Sequence, residues 1–256
     1  MAYDKQKVID IALAEVGYLE KATASNLDDK TANAGDKNYT KYARDLANVN
    51  FFNGKKQGAA WCAVFVAWSF YKAFGKAAAL ELLCQPTNAA SNCGAGCRYA
   101  RKYFKDKNQL HDTPQPGDMV FFYSKDKSQI AHTGLVYKVE GSTVYTVEGN
   151  TSGASGVIAN GGGVCTKSYS LSYDRLAGFG RPNYGAQSAA ADTKQAASKP
   201  AGSTQTEEYT VRRGDSLWMI AKKQLGRGTR YKEIMELNGL TSDLIRAGQK
   251  LKIPKK

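Results

Sequence analysis

The segment Gln57-Gly-Ala-Ala-Trp61-Cys62-Ala-Val-Phe-Val-Ala-Trp68 changes character at Cys62. A glycine-punctuated loop gives way there to a run that is apolar all round, the pattern of a buried central helix. Ala59 to Trp68 is the longest apolar run of the chain at ten residues. That is about half the length a bilayer requires, so no membrane span is expected. A cysteine in the first turn of such a helix faces unpartnered backbone N–H groups and the positive end of the macrodipole. Both favour the thiolate, and the same N–H groups can hold an oxyanion formed when that thiolate attacks a carbonyl. The alternative is that Cys62 is a small buried hydrophobe and nothing more.

Two histidines are present, His111 and His132. His111 lies in the polar stretch Lys105–Thr113, which has no regular period and reads as a surface loop. His132 opens a strand, His132-Thr-Gly-Leu-Val-Tyr-Lys-Val139, and Thr143-Val-Tyr-Thr-Val-Glu-Gly-Asn150 follows as a second. A three-residue loop, Glu140-Gly141-Ser142, would pair Val139 with Thr143. Counting outward, His132 then faces Asn150, Gly134 faces Glu148, Leu135 pairs with Val147 and Tyr137 with Tyr145. One face of the hairpin is apolar, and the other carries His132, Glu148 and Asn150. A one-residue slip would move one strand's set to the opposite face, which favours this register. Gly134 leaves room for Glu148 to reach diagonally toward His132. An acceptor beside the imidazole fixes its tautomer and leaves the other nitrogen as a base. A solvated polar face is the alternative.

Taken with Pro116-Gly-Asp-Met-Val-Phe-Phe122, read as a strand, Ala131-His-Thr-Gly-Leu-Val136 and Val147-Glu-Gly-Asn-Thr151, the Trp61-Cys62 segment resembles the CHAP family of cysteine amidohydrolases and peptidases. The resemblance runs from about Lys5 to Tyr184. It implies a papain-like α+β fold with Cys62 as nucleophile, His132 as general base, Glu148 orienting the histidine and Asn150 as the fourth site residue. It also implies peptide or amide substrates, chiefly in peptidoglycan. Some members bind calcium through an acidic N-terminal loop. Asp28, Asp29 and Asp36 lie in the corresponding region without the spacing of a calcium loop, so no metal or other cofactor is expected.

Upstream, Val8, Ile9, Ala12, Leu13 and Val16 fall at helical spacing, with Asp4 and Asp10 among them and Gly17 as the stop. Met1–Val16 therefore reads as a folded amphipathic helix and not as an export signal, and the protein is expected to be made in the cytoplasm. The five cysteines, Cys62, Cys84, Cys93, Cys97 and Cys165, are an odd number, so any disulfide scheme leaves one unpaired. Zinc held by Cys84, Cys93, Cys97 and Cys165 is an alternative, though their spacing matches no common zinc pattern.

Downstream, residues 185–206 change composition abruptly. Eighteen of these 22 residues are Ala, Ser, Thr, Gln or Gly, and none is a large aliphatic or aromatic residue. Such a segment buries too little apolar surface to offset the entropy of ordering it, and it reads as a flexible linker. Residues 207–256 have a period of their own. They read as a strand at Tyr209–Arg212, a helix around Leu217, Ile220, Ala221 and Leu225, and a break at Gly226-Arg227-Gly228. A second helix then ends at Asn238-Gly239, and a strand closes at Pro254. From Tyr209 to Pro254 this βααβ pattern is similar to a LysM module, through Tyr209-Thr-Val-x-x-Gly-Asp-Ser-Leu-Trp218 and Gly248-Gln-Lys-Leu-Lys-Ile-Pro254. The resemblance implies binding of N-acetylglucosamine-containing glycan in a groove formed by Gly214, Asp215, Ser216 and Leu217 facing Leu240, Thr241 and Ile245. Core packing is the competing account of Leu217 and Ile245.

The 256 residues thus divide into a catalytic domain (1–184), a linker (185–206) and a glycan-binding domain (207–256). The net charge of +13 places +6 on each domain, so the small one is the more basic per residue. Charge alone points to a polyanion. With the two resemblances the expected partner is bacterial peptidoglycan, with no nucleic acid and no membrane, and the chain is expected to act as a monomer. The resulting expectation is an endolysin-like peptidoglycan hydrolase, an N-acetylmuramoyl-L-alanine amidase or endopeptidase concentrated on its polymer by the tethered module. A host autolysin of the same chemistry and a non-catalytic wall-binding protein are the alternatives.

Overall fold

Asp4 caps the first helix, its carboxylate accepting the Gln6 N–H at 2.9 Å, so α1 runs Lys5–Ala14 and not from Met1. Val8, Ile9 and Ala12 form its buried stripe, and Gly17 turns the chain at φ +88°. Thr40 caps α2 (Lys41–Asn48). The apolar run becomes α3 (Cys62–Phe74), which Gly75 ends at φ +82° before α4 (Lys76–Leu82); α5 follows at Cys97–Asp106. A six-stranded sheet completes this part of the chain, with β1 (Leu110–His111), β2 (Met119–Tyr123), β3 (Ile130–Glu140), β4 (Thr143–Thr151), β5 (Gly163–Ser170) and β6 (Leu176–Gly180). Its order is β1-β6-β2-β3-β4-β5, antiparallel throughout.

This computed structural model describes residues 2–152, 162–185, 206–212, 215–226, 228–240 and 245–254. They divide into two units, Met1–Gln187 and Ser188–Lys256. Of the expected linker, residues 186–205 lie outside the described set. Among the described residues no helix is long and apolar enough to cross a membrane.

In the first unit α3 is the central element. It packs against α1, α2 and α4 on one side and lies on β3 and β4 on the other. Phe65, Val66 and Phe70 are fully buried, as are Met119, Phe121, Leu135 and Val147 on the sheet face that joins this core. Each such side chain contributes about 1.5–3 kcal/mol of burial. Gly149 lets β4 come close to the helix, because a Cβ there would lie 2.6 Å from Phe65 Cβ and 2.7 Å from the Trp61 ring. The opposite sheet face is buried too: Val120, Phe122, Val136, Val144 and Phe179 form a second cluster with Tyr169 and Tyr173 packed on it.

The hairpin keeps the expected register at Leu135, departs from it at the turn, and its ladder does not include the expected pair of His132 with Asn150. Leu135 pairs with Val147 as expected. The turn, however, has two residues, Gly141-Ser142, with Glu140 paired to Thr143, and Lys138 replaces Tyr137 as the partner of Tyr145. Two-residue turns whose first residue has positive φ match strand twist best, and Gly141 supplies φ +56°. A bulge at Tyr137 absorbs the extra residue. Two smaller corrections concern flanking segments. Pro116–Asp118 lead into β2 and are not part of it, Asp118 being buried against Arg181. His111 is half-buried in β1, where it pairs with Phe179 of β6, and does not sit in a surface loop.

In the second unit β7 (Thr206–Thr210) pairs antiparallel with β8 (Lys250–Pro254) and encloses α6 (Leu217–Leu225), a 3₁₀ turn at Gly228–Arg230 and α7 (Tyr231–Leu237). Ser216 caps α6 by accepting the Met219 N–H, and Gly226 ends it at φ +80°. The core is small: Val211, Leu217, Ile220, Ala221, Leu225, Ile234, Leu251 and Ile253.

Candidate active site

Cys62 is the first residue of α3, and its preceding residue, Trp61, offers no side-chain cap, so the helix N–H groups stay available beside the sulfur. Trp61 is itself pinned: its indole N–H donates to Oε2 of the fully buried Glu20 at 2.8 Å. From the sheet side, His132 comes near enough to Cys62 for each to shift the other's protonation. His132 Nε2 lies 2.9 Å from Glu148 Oε2, which leaves Nδ1 for the thiol. Gly134 makes this geometry feasible, since a Cβ at that position would stand 2.5 Å from Glu148 Cγ.

Glu148 is completely buried, and three donors surround its carboxylate. Besides His132, the Thr146 hydroxyl donates to Oε1 at 2.5 Å and the Tyr169 hydroxyl to Oε2 at 3.3 Å. A carboxylate held this way keeps the imidazole oriented and stabilises its cation. Asn150 sits at φ +52°, where β4 and β5 slip register between Glu148 and Thr151. It lines a cavity of ≈ 260 Å³ together with His132, Glu148, Tyr169, Tyr173 and Arg175. Cys62 does not line that cavity and is 4% exposed.

The electrostatics favour an ion pair. Hydrogen bonding between the Cys62 and Cys97 sulfurs holds the Cys62 thiol well below its ordinary range against the opposing effect of burial, with help from His132 and the Ala63 N–H. Burial alone would lower His132, but its bonds to Cys62 and Glu148 outweigh that and raise it to about 10. Between those limits the sulfur is thiolate and the ring imidazolium.

The comparisons with known proteins follow the same division. Residues 54–150 match the family model of the CHAP domain, and residues 209–254 match that of the LysM domain. The chain carries a CHAP domain and a LysM domain. Its relatives include "N-acetylmuramoyl-L-alanine amidase sle1" of Staphylococcus epidermidis, 51% identical over 63 residues, covering 24% of this chain and 18% of that protein. Another is "Probable peptidoglycan endopeptidase LytE" of Bacillus subtilis, 53% identical over 45 residues, covering 18% of this chain and 13% of that protein. The chain therefore spans less than a fifth of the length of these relatives. Among solved structures, that of Ly7917 aligns with 81% of this chain and 69% of its own at 12% identity, with a TM-score of 0.42.

In the CHAP domain the structure brings together Cys62, His132 and Glu148, with Asn150 on the adjoining cavity. The partners that sequence reasoning missed are Cys97, Thr146 and Tyr169. Cys97 Sγ lies 3.2 Å from Cys62 Sγ. The four cysteines considered as a zinc set do not converge. Cys84 bonds Gln109, Cys93 accepts from Asn53, Cys165 lies against the Thr151 carbonyl, and Cys97 faces Cys62. Nor do the acidic N-terminal residues form a calcium cage. Asp28 is paired bidentately with Arg44, Asp29 accepts the Thr31 and Ala32 N–H groups, and Asp36 pairs with Lys37.

In the LysM domain, Leu217 is core at 1% exposure, and Leu240 and Ile245 are half-buried against that core. Ser216 is the cap of α6, and Asp215 accepts from the Tyr209 hydroxyl and the Arg212 N–H. Gly214 and Thr241 lie outside the described residues.

Proposed function

We propose that this chain is a cysteine-dependent peptidoglycan hydrolase, with residues 1–184 catalytic, 185–206 a linker and 207–256 a glycan binder. The observation that carries the reading is the relay Cys62–His132–Glu148 at an uncapped helix N-terminus. The Cys62 thiolate attacks a peptide or amide carbonyl of the wall, and the N–H groups of the first turn of α3 hold the oxyanion. The His132 imidazolium gives its proton to the departing amine. Freed of that proton, the ring deprotonates a water that hydrolyses the thioester. Glu148 keeps the ring oriented and its charge balanced through the cycle, and Asn150 borders the cavity on the substrate side.

The names of the relatives supply the substrate class: one is an N-acetylmuramoyl-L-alanine amidase, the other a probable peptidoglycan endopeptidase. Asp215, Ser216, Leu217, Leu240 and Ile245, with Gly214 and Thr241, are assigned to the glycan groove. The basic residues of the LysM domain fit an anionic wall, the relatives' names favour peptidoglycan over nucleic acid as the partner, and a single chain suffices for the chemistry. Digestion of purified peptidoglycan followed by mass spectrometry of the soluble products tests this reading. Stem peptides freed from N-acetylmuramic acid, or newly exposed peptide amines, are the expected products. Sugar reducing ends alone, or no soluble product, would overturn it.

A further inference from the structure

Cys97 opens α5 as Cys62 opens α3, and both sulfurs are buried, at 8% and 4% residue exposure. Their separation of 3.2 Å is only about 1 Å more than a disulfide bond of about 2.05 Å. Neither belongs to a disulfide here. The remaining cysteines have other neighbours: Cys84 donates to the Gln109 side chain and Cys93 accepts from Asn53. Cys62 and Cys97 are therefore the one pair of cysteines, among those described, whose thiols hydrogen-bond each other.

We propose that Cys62 and Cys97 are a modification site, closing to a disulfide under peroxide or another two-electron thiol oxidant and reopening with a dithiol, so that the hydrolase is switched off and on. This rests on Cys62 being the nucleophile. The electrons balance with hydrogen peroxide as oxidant. The Cys62 thiolate attacks one peroxide oxygen, the O–O bond breaks, and the leaving hydroxide takes the His132 proton to become water. Cys97 then attacks the sulfenic sulfur; the S–S bond forms, and the displaced hydroxyl leaves as water with the Cys97 proton. Two thiol sulfurs are oxidised by two electrons in all, and one peroxide is reduced to two waters. A dithiol reverses the state by thiol–disulfide exchange.

The reduced pair is poised for this order of events. The two sulfurs lie 3.2 Å apart, and that contact raises the Cys97 thiol while it lowers Cys62. Cys62 is thus the sulfur that meets the oxidant, and Cys97 is the one that resolves it.

The test uses the full chain. After hydrogen peroxide, peptide mapping under non-reducing conditions should show the Cys62 and Cys97 peptides joined and lighter by two hydrogens. Wall clearing should fall to background and return after dithiothreitol. In Cys97→Ser the sulfenic acid has no resolving thiol, so Cys62 proceeds to sulfinic or sulfonic acid and dithiothreitol restores little of that variant's own starting rate. A wild-type map with Cys62 joined to Cys84, Cys93 or Cys165, or with no cross-link at all, would overturn the proposal. The wild-type map needs no variant, so it decides even if Cys97→Ser folds poorly. Activity lost without a cross-link leaves the nucleophile standing and removes the disulfide. A Cys62–Cys97 cross-link with clearing unchanged removes both the switch and the catalytic reading of Cys62.

Discussion

Glu148 in the CHAP domain and Leu217 in the LysM domain are both almost fully buried, yet burial serves different ends in the two. Glu148 is a polar group kept dry by a scaffold that has apolar clusters on both faces of its sheet. That scaffold is stable enough to hold a carboxylate in the interior, provided its oxygens are hydrogen-bonded. Leu217 belongs to a core of eight buried residues among those described, and it is also a groove residue by the LysM resemblance. A domain of this size has few core positions to spare, so recognition and folding are expected to fall on the same side chains. In the large domain activity can be removed while the fold stays; in the small one the two are expected to fail together.

The largest expected effect is at His132. His132→Ala removes the base and the thiolate's counter-ion, and wall digestion should fall by roughly ten-thousandfold with the melting transition of the CHAP domain retained. A fall of less than about tenfold would break the catalytic half of the comparison. Glu148→Gln should cost on the order of a thousandfold, because the imidazolium loses its charge partner. The pH profile gives a sharper readout. His132 loses its proton as pH rises through about 10, so the alkaline limit of the ion pair lies there. Removing the Glu148 charge takes away one of the causes that raise His132, and the alkaline limb of the variant should move to lower pH.

For the LysM domain, Leu217→Ala should destabilise by about 2–5 kcal/mol, comparable with the whole stability of so small a core. Wall binding and the LysM thermal transition should disappear together, with the CHAP transition unmoved. Loss of binding with the fold intact would mean that groove and core are separable after all. The smallest effect is at Ser216: Ser216→Ala deletes the cap of α6 and should cost about 1 kcal/mol in a denaturant titration of the same transition.

The parts of the molecule legible in its sequence are those where one local pattern admits a single physical solution. Cys62 at the head of an all-apolar run and Gly134 across from Glu148 are of this kind. The pairing of Leu135 with Val147 was legible from alternation, although the face that carries Glu148 also buries Val136 and Val144, which the alternation did not reveal. The turn did not follow, because loop length and a bulge can trade one residue against each other without disturbing Leu135 and Val147. Cys97, Thr146 and Tyr169 escaped for another reason. The first reaches the site from a separate helix and the last from a neighbouring strand, while Thr146, two residues before Glu148, reads as an ordinary strand threonine. In the LysM domain the element order was legible from caps and periodicity, whereas the sequence left Leu217 between groove and core and its burial puts it in the core.

The central claim is that the Cys62 thiolate breaks the wall polymer while a separate domain holds the chain on it. Wild type and Cys62→Ala, compared on one preparation of purified peptidoglycan for both bound protein and released fragments, test this most directly. The variant should bind as wild type does and release no more than untreated wall. Release at the wild-type rate by a bound Cys62→Ala chain would contradict the account.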